Sequence, residues 1–217
     1  MENLIQTIAV SAIPIILAIT LHEAAHGYVA RHFGDPTAWQ LGRVSLNPLR
    51  HIDPVGTLLV PGLLLLASSG GMLFGWAKPV PVNFGRLRQP KKDMLWVAAA
   101  GPGANLLMAL VWAGLLKLIM LTSVSGALTA AFFQQMCVIG IEINGVLMLL
   151  NLLPIPPLDG GRIAVSLLPH PLAETFSRIE PYGFVILLAL LFTHTLDKIL
   201  GPLRNGFTLL LRNLFNF

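Results

Sequence analysis

The sequence predicts an all-α polytopic membrane protein of about four to five transmembrane helices, with a re-entrant segment and short membrane-embedded β segments. Three observations lead there. Of the 217 residues, 55% are hydrophobic and only 11% charged, with a mean hydropathy of +0.75, far from the balance of an ordinary soluble domain. Four apolar runs each approach or exceed the roughly 20 residues needed to cross a hydrocarbon core. Between them lie stretches rich in proline and glycine that cannot be regular helix.

The first predicted span covers residues 4–30. No basic region precedes it, so it is expected to remain attached as a membrane helix and not to be removed as a leader. Two extended stretches follow, "GRVSLNP" at 42–48 and "WAKPVPVNF" at 76–84. Irregular backbone of this kind survives at membrane depth only where protein or water satisfies it. They flank "VGTLLVPGLLLLASSGGMLF" at 55–74, which is long enough to span but is interrupted by Pro61, Gly62, Gly70 and Gly71. Further spans are predicted at 94–120, 128–153 and 182–199. The single cysteine, Cys137, lies inside the third of the four runs and is expected to pack between helices. The tail carries Leu203, Phe207, Leu210, Leu211 and Leu214 at helical spacing with Arg204 and Arg212 between them. An interfacial helix fits that pattern. No internal repeat divides the chain, so residues 1–217 are expected to form one domain, with a core at about 4–170 and the last helix and tail at 182–217.

The net charge is +4 and the isoelectric point about 9.6. The basic residues are dispersed through short loops and form no dense patch. Anionic lipid headgroups therefore account for them better than nucleic acid does.

The stretch "LHEAAHGYVA" at 21–30 places His22, Glu23 and His26 at the end of an apolar run. Ionisable groups in lipid are costly and require a partner. Histidines four residues apart lie on one helix face about 6 Å apart along the axis. With a glutamate after the first, they form H-E-x-x-H, in which the two imidazoles hold zinc and the carboxylate is a general base. A catalytic zinc site takes three protein ligands. The best third candidate is Asp159 in "NLLPIPPLDGGR" at 151–162, where Pro154, Pro156 and Pro157 break the helix before it and Gly160 and Gly161 follow it. Its alternative role is to cap the helix that "GGRIAVSLL" begins. His51, beside Asp53, is a further candidate ligand, although a turn histidine fits its surroundings better. His32, His170 and His194 carry no assigned role.

H-E-x-x-H in one membrane helix, "AGPGAN" at the start of another and "NLLPIPPLDGGR" at the end of a third together resemble the site-2 protease family of intramembrane zinc metalloproteases. The order and spacing match over roughly residues 10–170. The resemblance implies one zinc ion held by His22, His26 and Asp159, with Glu23 as catalytic base. It implies transmembrane proteins as substrates and a compact member with no room for a PDZ domain. Asn105 resembles the family's polar residue near the substrate, or serves equally well as an interhelical hydrogen bond. The extended stretches resemble the family's membrane-embedded β segments, which makes Val44 and Val82 candidate substrate contacts through strand addition.

Two other classes of function compete. A metal transporter would spread ligands along a pathway and repeat them in two halves. A zinc-stabilised scaffold would need no glutamate beside its first ligand.

The motifs also fix an expected topology. If His22, His26 and Asp159 meet, the first and third helices run in one direction and the second runs in the other. Residues 55–74 must then return to their starting face. Arg31, Arg43, Arg50, Lys78, Arg86, Arg88, Lys91, Lys92, Arg162 and Arg178, ten of the fourteen Lys and Arg, would share that side. The positive-inside rule makes it cytoplasmic, at a cell membrane.

Overall fold

The computed structural model describes residues 2–67, 75–122 and 127–217. Nine α-helices are assigned there: α1 Glu2–His32, α2 Thr37–Gln40, α3 Val60–Ala67, α4 Pro90–Thr122, α5 Ala127–Asn151, α6 Asp159–Leu167, α7 His170–Ser177, α8 Gly183–Phe192 and α9 Thr195–Phe215. Four apolar helical stretches are long enough to cross a membrane: Ala9–His32, Pro90–Thr122, Thr129–Asn151 and His170–Phe192. The chain is a multi-pass membrane protein.

Helices α1, α4 and α5 pack against one another in pairs and form the centre of the fold. Along α1, Val10, Pro14, Ala18, His22, His26 and Ala30 are buried at intervals of four residues. On α4, Val97, Gly101, Asn105, Ala109 and Ala113 form the matching stripe. Such small side chains let two backbones approach closely in lipid, where helix association depends on packing and polar contacts. Leu107, Val111, Leu115 and Leu118 of α4 stay exposed, as a face turned to lipid tails requires.

The direction of each helix follows from which residues meet. His26 reaches Val97 and His22 reaches Asn105, so α1 and α4 run antiparallel. Trp112 lies against Gly140 and Asn105 meets Asn144, so α4 and α5 are also antiparallel. Helices α1 and α5 therefore run the same way.

The expected span at 182–199 has different bounds in the structure. Its helix stops at Phe192, His194 takes a left-handed φ of 55°, and the apolar stretch begins earlier, at His170. Helix α9 then carries the tail. Its Phe207, Leu211 and Phe215 pack into the cluster of Val10, Ala109, Trp112, Met136, Cys137 and Ile141, while Leu203, Leu210 and Leu214 remain exposed. Cys137 packs between helices, as expected.

The stretches 42–48 and 76–84 are irregular, and no β-strand is assigned among the described residues. Pro79 and Pro81 explain part of this, because proline removes the amide donor a ladder needs. The amides that remain find other acceptors. Trp76 N donates to Gly56 O at 3.0 Å, Lys78 N to His51 O at 2.8 Å, Val80 N to Glu23 Oε2 at 2.8 Å and Asn83 N to Asp35 Oδ2 at 2.6 Å.

Of the segment 55–74, residues 68–74 lie outside the described residues. The rest is a π-helical turn over Pro54–Leu59 leading into α3. Asp53 starts the turn by accepting Val55 N and Gly56 N on its side chain, which supplies the first orphan donors of a helix with an acceptor.

Candidate metal centre

Two elements deliver three side chains to one point. His22 and His26 project from consecutive turns of α1, and Asp159 opens α6 directly after the proline-rich break. Leu158, not Asp159, holds the N-cap position of α6, and no side chain caps that end. The aspartate is thus not spent on capping.

The donor atoms form a nearly regular triangle. His22 Nε2 and His26 Nε2 are 3.2 Å apart, and Asp159 Oδ2 lies 3.3 Å from the first and 3.4 Å from the second. A tetrahedral zinc ion with ligand bonds of about 2.0–2.1 Å sets its ligands about 3.3–3.4 Å apart. All three residues are buried, and Asp159 Oδ2 has no hydrogen-bond partner. A buried carboxylate oxygen without a partner is costly unless a cation meets it. The donor set, its spacing and this orphaned oxygen all fit zinc.

The outer nitrogens of both imidazoles are committed. His26 Nδ1 donates to Val97 O at 2.7 Å, and His22 Nδ1 to Asn105 Oδ1 at 2.6 Å. A ring that donates through Nδ1 presents the lone pair of Nε2 inward, as metal-binding histidines do. Val97, Gly101 and Asn105 stand one turn apart on α4, opposite the two histidines. Gly101 sits between the two that accept, and a Cβ there would overlap both imidazoles.

Glu23 is half-buried on the next face of α1 and accepts the Val80 amide through Oε2. Gly27, one residue after the second histidine, lets the extended chain lie close: a Cβ there would overlap Val44 and press on Val80. Val44 therefore touches α1 beside the site. Val82 does not share that position, because its side chain packs with Ala30, Leu87 and Val97. Val80 is the residue in direct contact with Glu23. Asn105 is fully buried between α1 and α5 and holds His22, Ala18 O and Asn144, with no polar atom turned outward. His51 stays apart from the cluster. Its Nε2 meets Ser45 O at 2.9 Å, and among the described residues His22, His26 and Asp159 are the only group of His, Cys, Asp and Glu gathered tightly enough for a metal.

Sequence reasoning missed Val80, the carbonyl of Val97 and the contact of Gly101 with the imidazoles. The signal for Gly101 was present: in "VAAAGPGAN" positions 97, 101 and 105 repeat every four residues, as do His22 and His26. A main-chain carbonyl and an amide carry no such signal.

Comparison with known proteins identifies the family. Residues 115–193, which include Asp159, fit the sequence profile of peptidase family M50. Over 197 residues the chain is 40% identical to the "Putative zinc metalloprotease YwhC" of Bacillus subtilis, covering 89% of this chain and 85% of that protein. The chain belongs to peptidase family M50. Two mycobacterial proteins described in the same words under the name Rip2 are also similar to this M50 peptidase. The one from Mycolicibacterium smegmatis is 33% identical over 84% of this chain and 66% of its own length. The one from Mycobacterium tuberculosis is 31% identical over the same shares. No solved structure matches the chain.

Proposed function

We propose that this M50 peptidase is a zinc-dependent intramembrane endopeptidase that hydrolyses peptide bonds in or near the transmembrane helices of membrane-protein substrates. The observation that carries the reading is the triangle of His22 Nε2, His26 Nε2 and Asp159 Oδ2 at tetrahedral spacing, with Glu23 beside it, at the end of an apolar helix. His22, His26 and Asp159 hold one ion. When bound, zinc polarises the scissile carbonyl and lowers the pKa of water toward about 7.

The chain's own residues do the rest. Glu23 takes the proton from the attacking water and returns it to the leaving nitrogen, a role that needs a carboxylate within reach of both. The Val80 amide holds one of its oxygens and leaves the other free to act. Val97 and Gly101 of α4 line the outer side of the two histidines. A helical substrate must unwind before its carbonyl can be attacked, and the irregular stretches at 42–48 and 76–84 run beside α1 where an unwound segment can add as a strand. Val44 borders that path, Val82 anchors the second stretch against Ala30, Leu87 and Val97, and Asn105 acts through His22.

The active site is assigned to the cytoplasmic face of the cell membrane. Antiparallel α1 and α4 put the end of the first and the start of the second on one face, and the basic residues expected there make that face the cytoplasmic one. The bonds from Trp76 to Gly56 and from Lys78 to His51 support a re-entrant 55–74, because they join the two ends of the segment. A transporter would spread its ligands along a path, whereas the described residues gather one compact group.

The test is a proteoliposome assay with a transmembrane substrate. Cleavage should stop with a zinc chelator and return on adding zinc. Cleavage that survives complete removal of metal would overturn the proposal.

A further inference from the structure

Asn105 and Asn144 are both fully buried, one on α4 and one on α5, and together they bridge the three central helices. Each amide can in principle face either way. Two main-chain carbonyls, which only accept, decide the matter. Asn144 Nδ2 donates to Gly140 O at 2.8 Å, so its Oδ1 must face α4. Asn105 then turns its NH₂ toward that oxygen at 2.9 Å and toward Ala18 O at 3.2 Å. Its own Oδ1 is left facing His22 Nδ1 at 2.6 Å, and an amide oxygen requires a proton on that nitrogen.

Turning both amides over would set oxygen against oxygen at Gly140 and at Ala18. It would also offer an NH₂ to His22 Nδ1, which would then have to accept. The ring proton would move to Nε2, the atom that faces His26 and Asp159. In a fully buried setting each such mismatch is expensive.

We propose that Asn144 is a positioning residue for the metal centre: acting through Asn105, it keeps the His22 proton on Nδ1 and so keeps Nε2 free to bind. The inference rests on the reading of His22 as a ligand. It assigns to α5 a second contribution to the site besides the aspartate that follows it. The order of the relay is Gly140 O, Asn144, Asn105, His22, and Ala18 O locks its middle member.

The test uses the full chain in detergent with ¹⁵N-labelled histidine, with His22 identified by its loss in His22→Ala. Metal-free wild type should show His22 protonated on Nδ1 and bare on Nε2. Asn144→Leu removes both partners and should give a mixture of tautomers, with zinc affinity, measured against a competing chelator, lower by about ten- to a hundredfold. A wild-type His22 that carries its proton on Nε2 overturns the proposal without reference to any variant, so a failure of Asn144→Leu to fold does not remove the test. Wild-type tautomer and affinity in Asn144→Leu also overturn it. Unchanged zinc affinity in His22→Ala would overturn the ligand reading itself, a result separable from the other two.

Discussion

The amide of Val80 donates to the carboxylate of Glu23 at 2.8 Å, across 57 residues of sequence. The side chain proposed to transfer the proton is thereby tied to the irregular stretch at 76–84.

Glu23→Gln should abolish cleavage and leave zinc in place. The amide keeps the size of the side chain but cannot take a proton, and loss of a general base costs about 10²- to 10⁴-fold. Turnover and metal content are measured on one purified sample. Substantial activity in the variant would remove Glu23 from the chemistry, and loss of zinc would make it a ligand.

Asp159→Ala should lower zinc occupancy and stop cleavage. Its Oδ2 is the third corner of the donor triangle and has no other partner to lose. Retention of full metal affinity would shift the search to another ligand, with His51 first.

Gly101→Ala separates packing from propensity. Alanine favours an isolated helix over glycine by about 1 kcal/mol, yet its methyl would overlap both imidazoles. Zinc affinity should fall although α4 gains helix propensity. Wild-type zinc affinity would mean that the histidines do not lie against Gly101.

Val44→Pro and Val82→Pro should slow cleavage of a stable substrate helix while zinc stays bound, because proline removes a backbone donor from the edge proposed to receive the unwound segment. Equal rates to wild type on both helical and already unwound substrates would exclude strand addition.

Single cysteines at Arg50 and Arg88, in a Cys137→Ser background, should both react with a membrane-impermeant reagent from the cytoplasm. The bonds between Gly56 and Trp76 and between His51 and Lys78 hold the two ends of the apolar segment together. Labelling from opposite faces would make 55–74 a full crossing.

Much of the central fold was legible because each helix of the bundle is an uninterrupted apolar run, and the ligand candidates were legible because charge inside such a run needs a reason. The ends of α8 were not. Thr193 and His194 carry no proline or glycine, so the stretch holds none of the usual helix breakers that would mark the left-handed turn at His194. The extended stretches were recognised from Pro79 and Pro81, but which acceptor each remaining amide would find depends on residues far away in sequence. Asn105 could be named from "GPGAN", whereas its orientation needed the carbonyls of Ala18 and Gly140.

The matched stripes of α1 and α4 have a consequence for assembly. His26 pairs with Val97 and His22 with Asn105, and Gly101 sits opposite both. Sliding one helix past the other by a turn of about 5.4 Å would move both imidazoles off their acceptors and break the donor triangle. Lipid gives such a slide little hydrophobic penalty. A bound cation would add a third tie to a register that these two hydrogen bonds already select from several similar ways in which two smooth, alanine-rich helices can lie together.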